Sequence, residues 1–233
     1  MTASNSISKN YAIIVAGGSG TRMNSAIPKQ FLLLNGIPVL IHTLTAFHNC
    51  RSNPQLILVL HSDYHSYWQE LCTKHDFLIP HQLVNGGESR FHSVKNGLDS
   101  ISDQESIIAI HDAVRPLTSS SIIDYSYSFA QKHGNAIVAV KSRDSIRQMQ
   151  GIHSVSLLRD DIYLIQTPQT FQSAQLKKAY AQAYDTKFTD DASVVESAGM
   201  QINLVDGSYE NIKITFPEDI AIAEAILNKK PSA

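Results

Sequence analysis

Four short apolar runs recur at residues 12–16, 56–61, 107–111 and 136–140 of this 233-residue chain, and the gaps between them are long enough for crossover helices. A strand buried on both faces reads as such a run, and strands that alternate with helices pair in parallel. The pattern therefore predicts an α/β fold, with an open, mostly parallel sheet flanked by helices. Helices are predicted over 38–48, 63–75, 88–100, 120–133, 174–184, 190–198 and 217–227, with Pro217, Glu218 and Asp219 suited to a first helical turn. One domain over residues 11–233 accounts for this length. Residues 1–10 are polar and read as a disordered tail, not a secretory signal.

Ligands of such sheets sit beyond the carboxyl ends of the strands, so the loops there carry the functional reading. The first run opens directly into Gly17-Gly18-Ser19-Gly20-Thr21-Arg22-Met23, and Pro28-Lys29-Gln30 follows. Glycines let backbone N–H groups close on an anion, and Arg22 and Lys29 add positive charge; the expected ligand is a nucleoside triphosphate. A P-loop is excluded because Thr21-Arg22, not Lys-Ser or Lys-Thr, follows Gly20. A dinucleotide fingerprint is excluded by Met23 and by the lack of an acidic residue near position 45. The plain alternative is a surface turn.

Two further clusters follow strand ends. Gly86-Gly87 precedes a helix that carries Ser93, which suits either recognition of a base or ribose, or a simple capped helix start. Asp112 and Arg115, bounded by Pro116, suit either a magnesium–phosphate assembly, direct or through water, or an ion pair that fixes the loop. Residues 167–170 and 189–192 read as turn and helix-cap chemistry, with Thr189 or Asp190 as the cap. Lys213 lies in an alternating stretch, 211–215, as an edge residue or as one aimed at an anion. Residues 141–166 are charged and thinly apolar, with two short extended pieces around Gln150-Gly151. They read as a β-arm that leaves the sheet and, being too small to stand alone, packs on a second subunit.

Composition narrows the partners. A net charge of -2 argues against a broad nucleic-acid surface, and no run approaches the roughly 18 apolar residues of a membrane span. The two cysteines, Cys50 and Cys72, form no Cys-x-x-Cys pair, which points to reduced thiols in the cytoplasm. The ten histidines show no ligand spacing, so no protein-built metal cage is expected.

Taken together, residues 16–22, Pro28-Lys29-Gln30, Gly86-Gly87-Glu88-x-Arg90-x-x-Ser93-Val94, His111-Asp112-Ala113-Val114-Arg115-Pro116, Arg143-Asp144-Ser145, Thr167-Pro168-Gln169 and Asn211-Ile212-Lys213-Ile214-Thr215 resemble the 2-C-methyl-D-erythritol 4-phosphate cytidylyltransferases over residues 11–227. The resemblance implies a Rossmann-like nucleotidyltransferase fold and a homodimer whose arm reaches the neighbouring subunit. It also implies transfer of a cytidylyl group from CTP to methylerythritol phosphate, with magnesium and with release of pyrophosphate. Arg22 and Lys29 would stabilise the transition state, and Arg159 and Lys213 would orient the acceptor phosphate. Ala16, Gly17, Gly18, Gly20, Gly87, Glu88 and Ser93 would hold CTP. Asp112, Arg115, Ser145 and Thr167 would line the acceptor side, with Asp112 the candidate magnesium contact.

Ser145 stands where the family usually has threonine, Glu88 where aspartate is frequent, and Val114 where alanine is usual. Asp-Ala-Val-Arg-Pro also occurs in the sister family acting on ribitol 5-phosphate, which is the alternative acceptor. A CTP-binding regulator without catalysis is the alternative of another class. A phosphate monoester is already a nucleophile near neutral pH, so no Ser–His–Asp set is expected.

Overall fold

The structure, a computed structural model, describes residues 9–16 and 27–229. Strand β1 (Lys9–Val15) is followed by a two-residue hairpin, β2 (Leu33–Leu34) and β3 (Ile37–Pro38), then α1 (Val39–His48), β4 (Gln55–Leu60), α2 (His65–Lys74), β5 (Gln82–Asn85), α3 (Arg90–Asp99) and β6 (Ser106–Asp112). The second half runs α4 (Ser120–His133), β7 (Asn135–Lys141), a hairpin of β8 (Arg147–Gln150) and β9 (His153–Ser156), β10 (Tyr163–Gln172), α5 (Ser173–Tyr180), α6 (Asp191–Ser197), β11 (Leu204–Asp206) and α7 (Glu218–Leu227). Seven strands form one sheet in the order β11-β7-β10-β6-β1-β4-β5. Only β10 runs against its neighbours; the other pairings are parallel, as the apolar runs predict.

Side-chain alternation divides the core into two layers. Ala12, Ile14, Leu56, Leu58, Leu60, Ile107 and Ala109 face α1, α2 and α4, where Leu44, Phe47, Trp68 and Tyr127 pack on them. Tyr11, Ile13, Ile57, Val59, Ile108 and Ile110 face α3, α5 and α6, against Phe91, Leu98, Leu176 and Val195. Both faces are covered, so the strands stay apolar throughout. Each fully buried aliphatic side chain contributes about 1.5–3 kcal/mol.

Strand order reverses at β1, which has β4 on one side and β6 on the other. A crevice opens where the two crossovers part. Its floor is set by register: Val15 pairs with Asp112, Ala113 N–H donates to the Val15 carbonyl at 3.1 Å, and Ala16 N–H donates to the Val59 carbonyl at 2.8 Å.

Several expectations change. The predicted arm of 141–166 is shorter, because residues 163–165 pair with β7 and belong to the sheet. The hairpin around Gly151 forms as expected, with Gly151 at φ +63° in the turn, a backbone conformation that disfavours side chains. Residues 211–215 form no regular strand; Ile214 N–H donates to the Val114 carbonyl at 2.9 Å, and Arg115 Nη1 and Thr118 Oγ1 donate to the Asn211 carbonyl and Oδ1 at 2.7 and 2.6 Å, which ties them to the loop after β6. Strand β1 begins at Lys9, so the last two residues of the predicted tail are paired with β6.

Candidate active site

Two adjoining cavities lie at the carboxyl end of β1 and β6. The larger, about 490 Å³, is lined by Ala16, Lys29, Gly87, Glu88, Ser93, Asp112 and Lys213, all of them residues the sequence reading singles out. The smaller, about 280 Å³, is lined by Asp112, Arg115, Thr167 and Lys213. Arg90, Asp112 and Lys213 belong to both, so they form the wall between them.

Local bonds hold the larger cavity in shape. The 3-10 turn Lys29–Phe31 is anchored from below by the Gln30 side-chain amide, which donates to the Ala16 carbonyl at 3.0 Å from a buried position. Lys29 Nζ donates to the Ile214 carbonyl at 3.1 Å, which brings the turn against the segment that carries Lys213. Across the cavity, Gly87 N–H donates to Ser93 Oγ at 3.0 Å, and the Ser93 hydroxyl keeps its own proton for a ligand. A Cβ at Gly87 would lie 2.5 Å from His92 Cβ, so only glycine lets the loop close onto α3. Ser89 caps that helix, accepting from His92 N–H.

The dividing wall is a chain of charges. Asp112 Oδ2 lies 2.9 Å from Lys213 Nζ and 3.5 Å from Arg115 Nε, and Oδ1 lies 3.6 Å from Arg90 Nε. Burial alone would raise the Asp112 carboxyl, but Arg90, Lys213 and Arg115 together hold it well below the usual carboxylate range. Arg90 is itself anchored from behind: Nη1 and Nη2 donate to the two oxygens of Asp191 at 2.8 and 2.6 Å. Asp191 is fully buried, and Tyr180 OH donates to it at 2.6 Å. Removing one partner of such a buried pair strands the other, at a cost of about 3–5 kcal/mol.

Sequence reading quoted Arg90 and Asp191 inside motifs without assigning either a role. Their significance lies in a contact across 101 positions, which no local pattern carries. The expected cap is Asp190: its carboxylate accepts from Ser193 N–H at 2.9 Å, and Ser193 Oγ accepts from Asp190 N–H at 3.2 Å. Thr167 lines the smaller cavity, where its hydroxyl accepts from Asp112 N–H at 3.0 Å, a role beyond the expected turn. Asp112 and Arg115 pair, as the ion-pair reading of this loop expects, and both line the smaller cavity.

Six expected residues stand elsewhere or outside the described residues. Ser145 and Arg159 are exposed on the arm and line neither cavity. Gly17, Gly18, Gly20 and Arg22 lie outside the described residues.

Among the described residues no group of three His, Cys, Asp or Glu side chains is placed to hold a metal ion. Asp112 already faces three cations. This donor set fits a magnesium ion that arrives on phosphate oxygens with its waters and meets Asp112 through water, and it does not fit a protein-built cage.

The sequence profile of the 2-C-methyl-D-erythritol 4-phosphate cytidylyltransferases matches residues 11–229. A protein of that name from Bacteroides thetaiotaomicron is 44% identical over 219 residues, covering 94% of this chain and 100% of its own. The 4-diphosphocytidyl-2C-methyl-D-erythritol synthase of Anaerococcus prevotii superposes with a TM-score of 0.80 at 29% identity, over 94% of this chain and 96% of that one. The Francisella tularensis 2-C-methyl-D-erythritol 4-phosphate cytidylyltransferase gives 0.76 at 32% identity, over 94% and 99%.

Proposed function

This chain belongs to the 2-C-methyl-D-erythritol 4-phosphate cytidylyltransferase family, and from that premise we propose how its residues divide the reaction. The enzyme transfers a cytidylyl group from CTP to 2-C-methyl-D-erythritol 4-phosphate in isoprenoid precursor synthesis. An acceptor phosphate oxygen attacks the α-phosphorus, the bond from that phosphorus to the bridging oxygen breaks, and pyrophosphate leaves. The acceptor is a phosphate monoester with a second pKa near 6, already largely dianionic at neutral pH, so no general base is needed. The task is to bring two polyanions together in line.

The larger cavity takes the nucleotide. Backbone groups of Ala16, Gly87 and Glu88 and the Ser93 hydroxyl face the base, and Lys29, with Arg22 and the glycines Gly17, Gly18 and Gly20, offsets charge that builds on the α-phosphate. Magnesium, when bound with CTP, offsets triphosphate charge, with Asp112 its contact through water. The smaller cavity takes the acceptor, held by Arg115, Thr167 and Lys213. The observation that carries this division is the shared wall: Lys213 stands between the two cavities, 2.9 Å from Asp112, where a phosphate that bridges them would draw it away.

Ser145 and Arg159 complete the acceptor side from the arm of a second copy, which makes the working unit a homodimer. The arm exposes Ile152 at 90%, Leu158 at 69% and Met149 at 66%, an apolar surface that another subunit would cover. No helix among the described residues is long and apolar enough to cross a membrane. We place the enzyme in the cytoplasm, where the free thiols of Cys50 and Cys72 stay reduced.

Pyrophosphate release from CTP and magnesium, measured in parallel with methylerythritol phosphate and ribitol 5-phosphate, tests the reading. Faster turnover on the first is expected. Preference for the second would move the chain to the sister activity, and tight CTP binding with neither product would make it a regulator.

A further inference from the structure

Asp191 lines neither cavity, yet it is the most deeply buried charge next to them. Its position is fixed from three sides. It is the first residue of α6, directly after the Asp190 cap and inside the Asp190–Ser193 capping box. Gln169 of β10 pins the same turn, accepting from Ala192 N–H at 2.8 Å and donating to Asp190 Oδ2 at 3.0 Å. Tyr180 of α5 donates to Oδ1.

A carboxylate held this firmly decides where its partner's charge goes. Arg90 has one planar fork and two acidic neighbours. Asp191 takes both terminal nitrogens, so only Nε faces Asp112, at 3.6 Å. Asp112 is thereby left with Oδ2 for Lys213 at 2.9 Å, closer than Arg115 Nε on the same oxygen at 3.5 Å. Without the charge on Asp191, nothing opposes rotation of the Arg90 fork onto Asp112, where a two-pronged guanidinium outcompetes a single ammonium.

We propose that Asp191 is a positioning residue for the acceptor: by holding the Arg90 fork away from Asp112, it keeps Lys213 on the wall between the cavities, ready to transfer from Asp112 to the incoming phosphate. The inference rests on the reading of Lys213 as an acceptor-orienting group.

The test is a double-mutant cycle in the full-length enzyme, with CTP, magnesium and methylerythritol phosphate. Asp191→Asn should lower kcat/KM for the acceptor by about tenfold and leave KM for CTP within about twofold. In the Lys213→Ala background the same substitution should cost less than about twofold, because the group it positions is gone. A milder pair avoids the risk that a stranded Arg90 prevents folding. Tyr180→Phe removes one hydrogen bond to Asp191 but keeps its charge, and should cost about threefold on the acceptor with Lys213 present and nothing detectable without it. Equal losses in both backgrounds, or equal losses for CTP and acceptor, would reduce Asp191 to a general structural role and overturn the proposal. A wild type inactive toward every polyol phosphate would overturn the underlying reading, an outcome visible before any variant is made.

Discussion

The wall between the cavities and the hairpin arm both carry charge, and they treat it in opposite ways. At the wall, Asp112 and, behind it, Asp191 are buried, and Arg90 and Lys213 bring opposite charge to them from distant parts of the chain. On the arm, Arg159 is exposed and its ion pair is with its sequence neighbour, Asp160, at 3.7 Å. Such an exposed pair contributes little stability. The wall is complete within one chain, whereas the arm displays Ile152, Leu158 and Met149 with nothing from its own protomer over them. A hairpin of this size is marginal on its own. Under the proposed homodimer, the contrast separates residues whose task folding fixes from residues whose task assembly would fix.

Lys29→Ala is the harshest attack on the first region. Turnover should fall by about 10²–10³, as expected on loss of a preorganised charge at a reacting phosphate, while the fold and the dimer persist. Near-normal kcat would remove Lys29 from the chemistry.

Acid probes the buried region next. His111 is fully buried beside Asp112; its Nε2–H donates to the Arg115 carbonyl at 3.1 Å, and burial lowers its pKa to about 4 from 6.5. The unfolded chain therefore takes up a proton near pH 6.5 that the folded chain refuses until about pH 4. Stability is full above 6.5 and is lost as pH falls toward 4, by at most about 3 kcal/mol. Urea unfolding at several pH values checks this, and His111→Gln should flatten the slope over that range. An unchanged slope would mean that His111 is not held neutral.

Arg159→Ala should have the smaller effect, as the residue that the proposed assembly would supply. The expected loss is about tenfold in kcat/KM for the acceptor, with KM for CTP little changed. If CTP binding collapsed while the acceptor KM held, the arm would belong to the nucleotide side.

The same contrast explains what was legible in the sequence. Strands β1, β4, β6 and β7 announce themselves because both of their faces are buried and apolar. Strand β10 is central too, yet it hides behind Gln166, read as the end of the arm, and Thr167, Pro168, Gln169 and Thr170, which read as a turn. It is tolerated in the core because its polar side chains are bonded: Gln166 to the Ser208 carbonyl, Gln169 to Asp190, and Thr170 to Ser126. The slip in its ladder between Ile165 and Gln169 accommodates the proline. At the site, the loop residues were legible as candidates because glycine and charge gather beyond strand ends, and the family resemblance chose between that reading and a plain turn, cap or ion pair. Asp191 was not, since a capping motif explains its neighbours fully and its partner lies on another helix.

The most direct test of the division between a self-sufficient wall and an assembled arm is subunit mixing. A heterodimer of one Lys29→Ala subunit and one Arg159→Ala subunit, purified through two different tags, is assayed for pyrophosphate release. If the arm serves its neighbour, one of the two sites regains both groups, and activity returns to roughly half that of the wild type. If each arm serves its own subunit, or if no dimer forms, activity stays no higher than the mean of the two single variants, and the account is wrong.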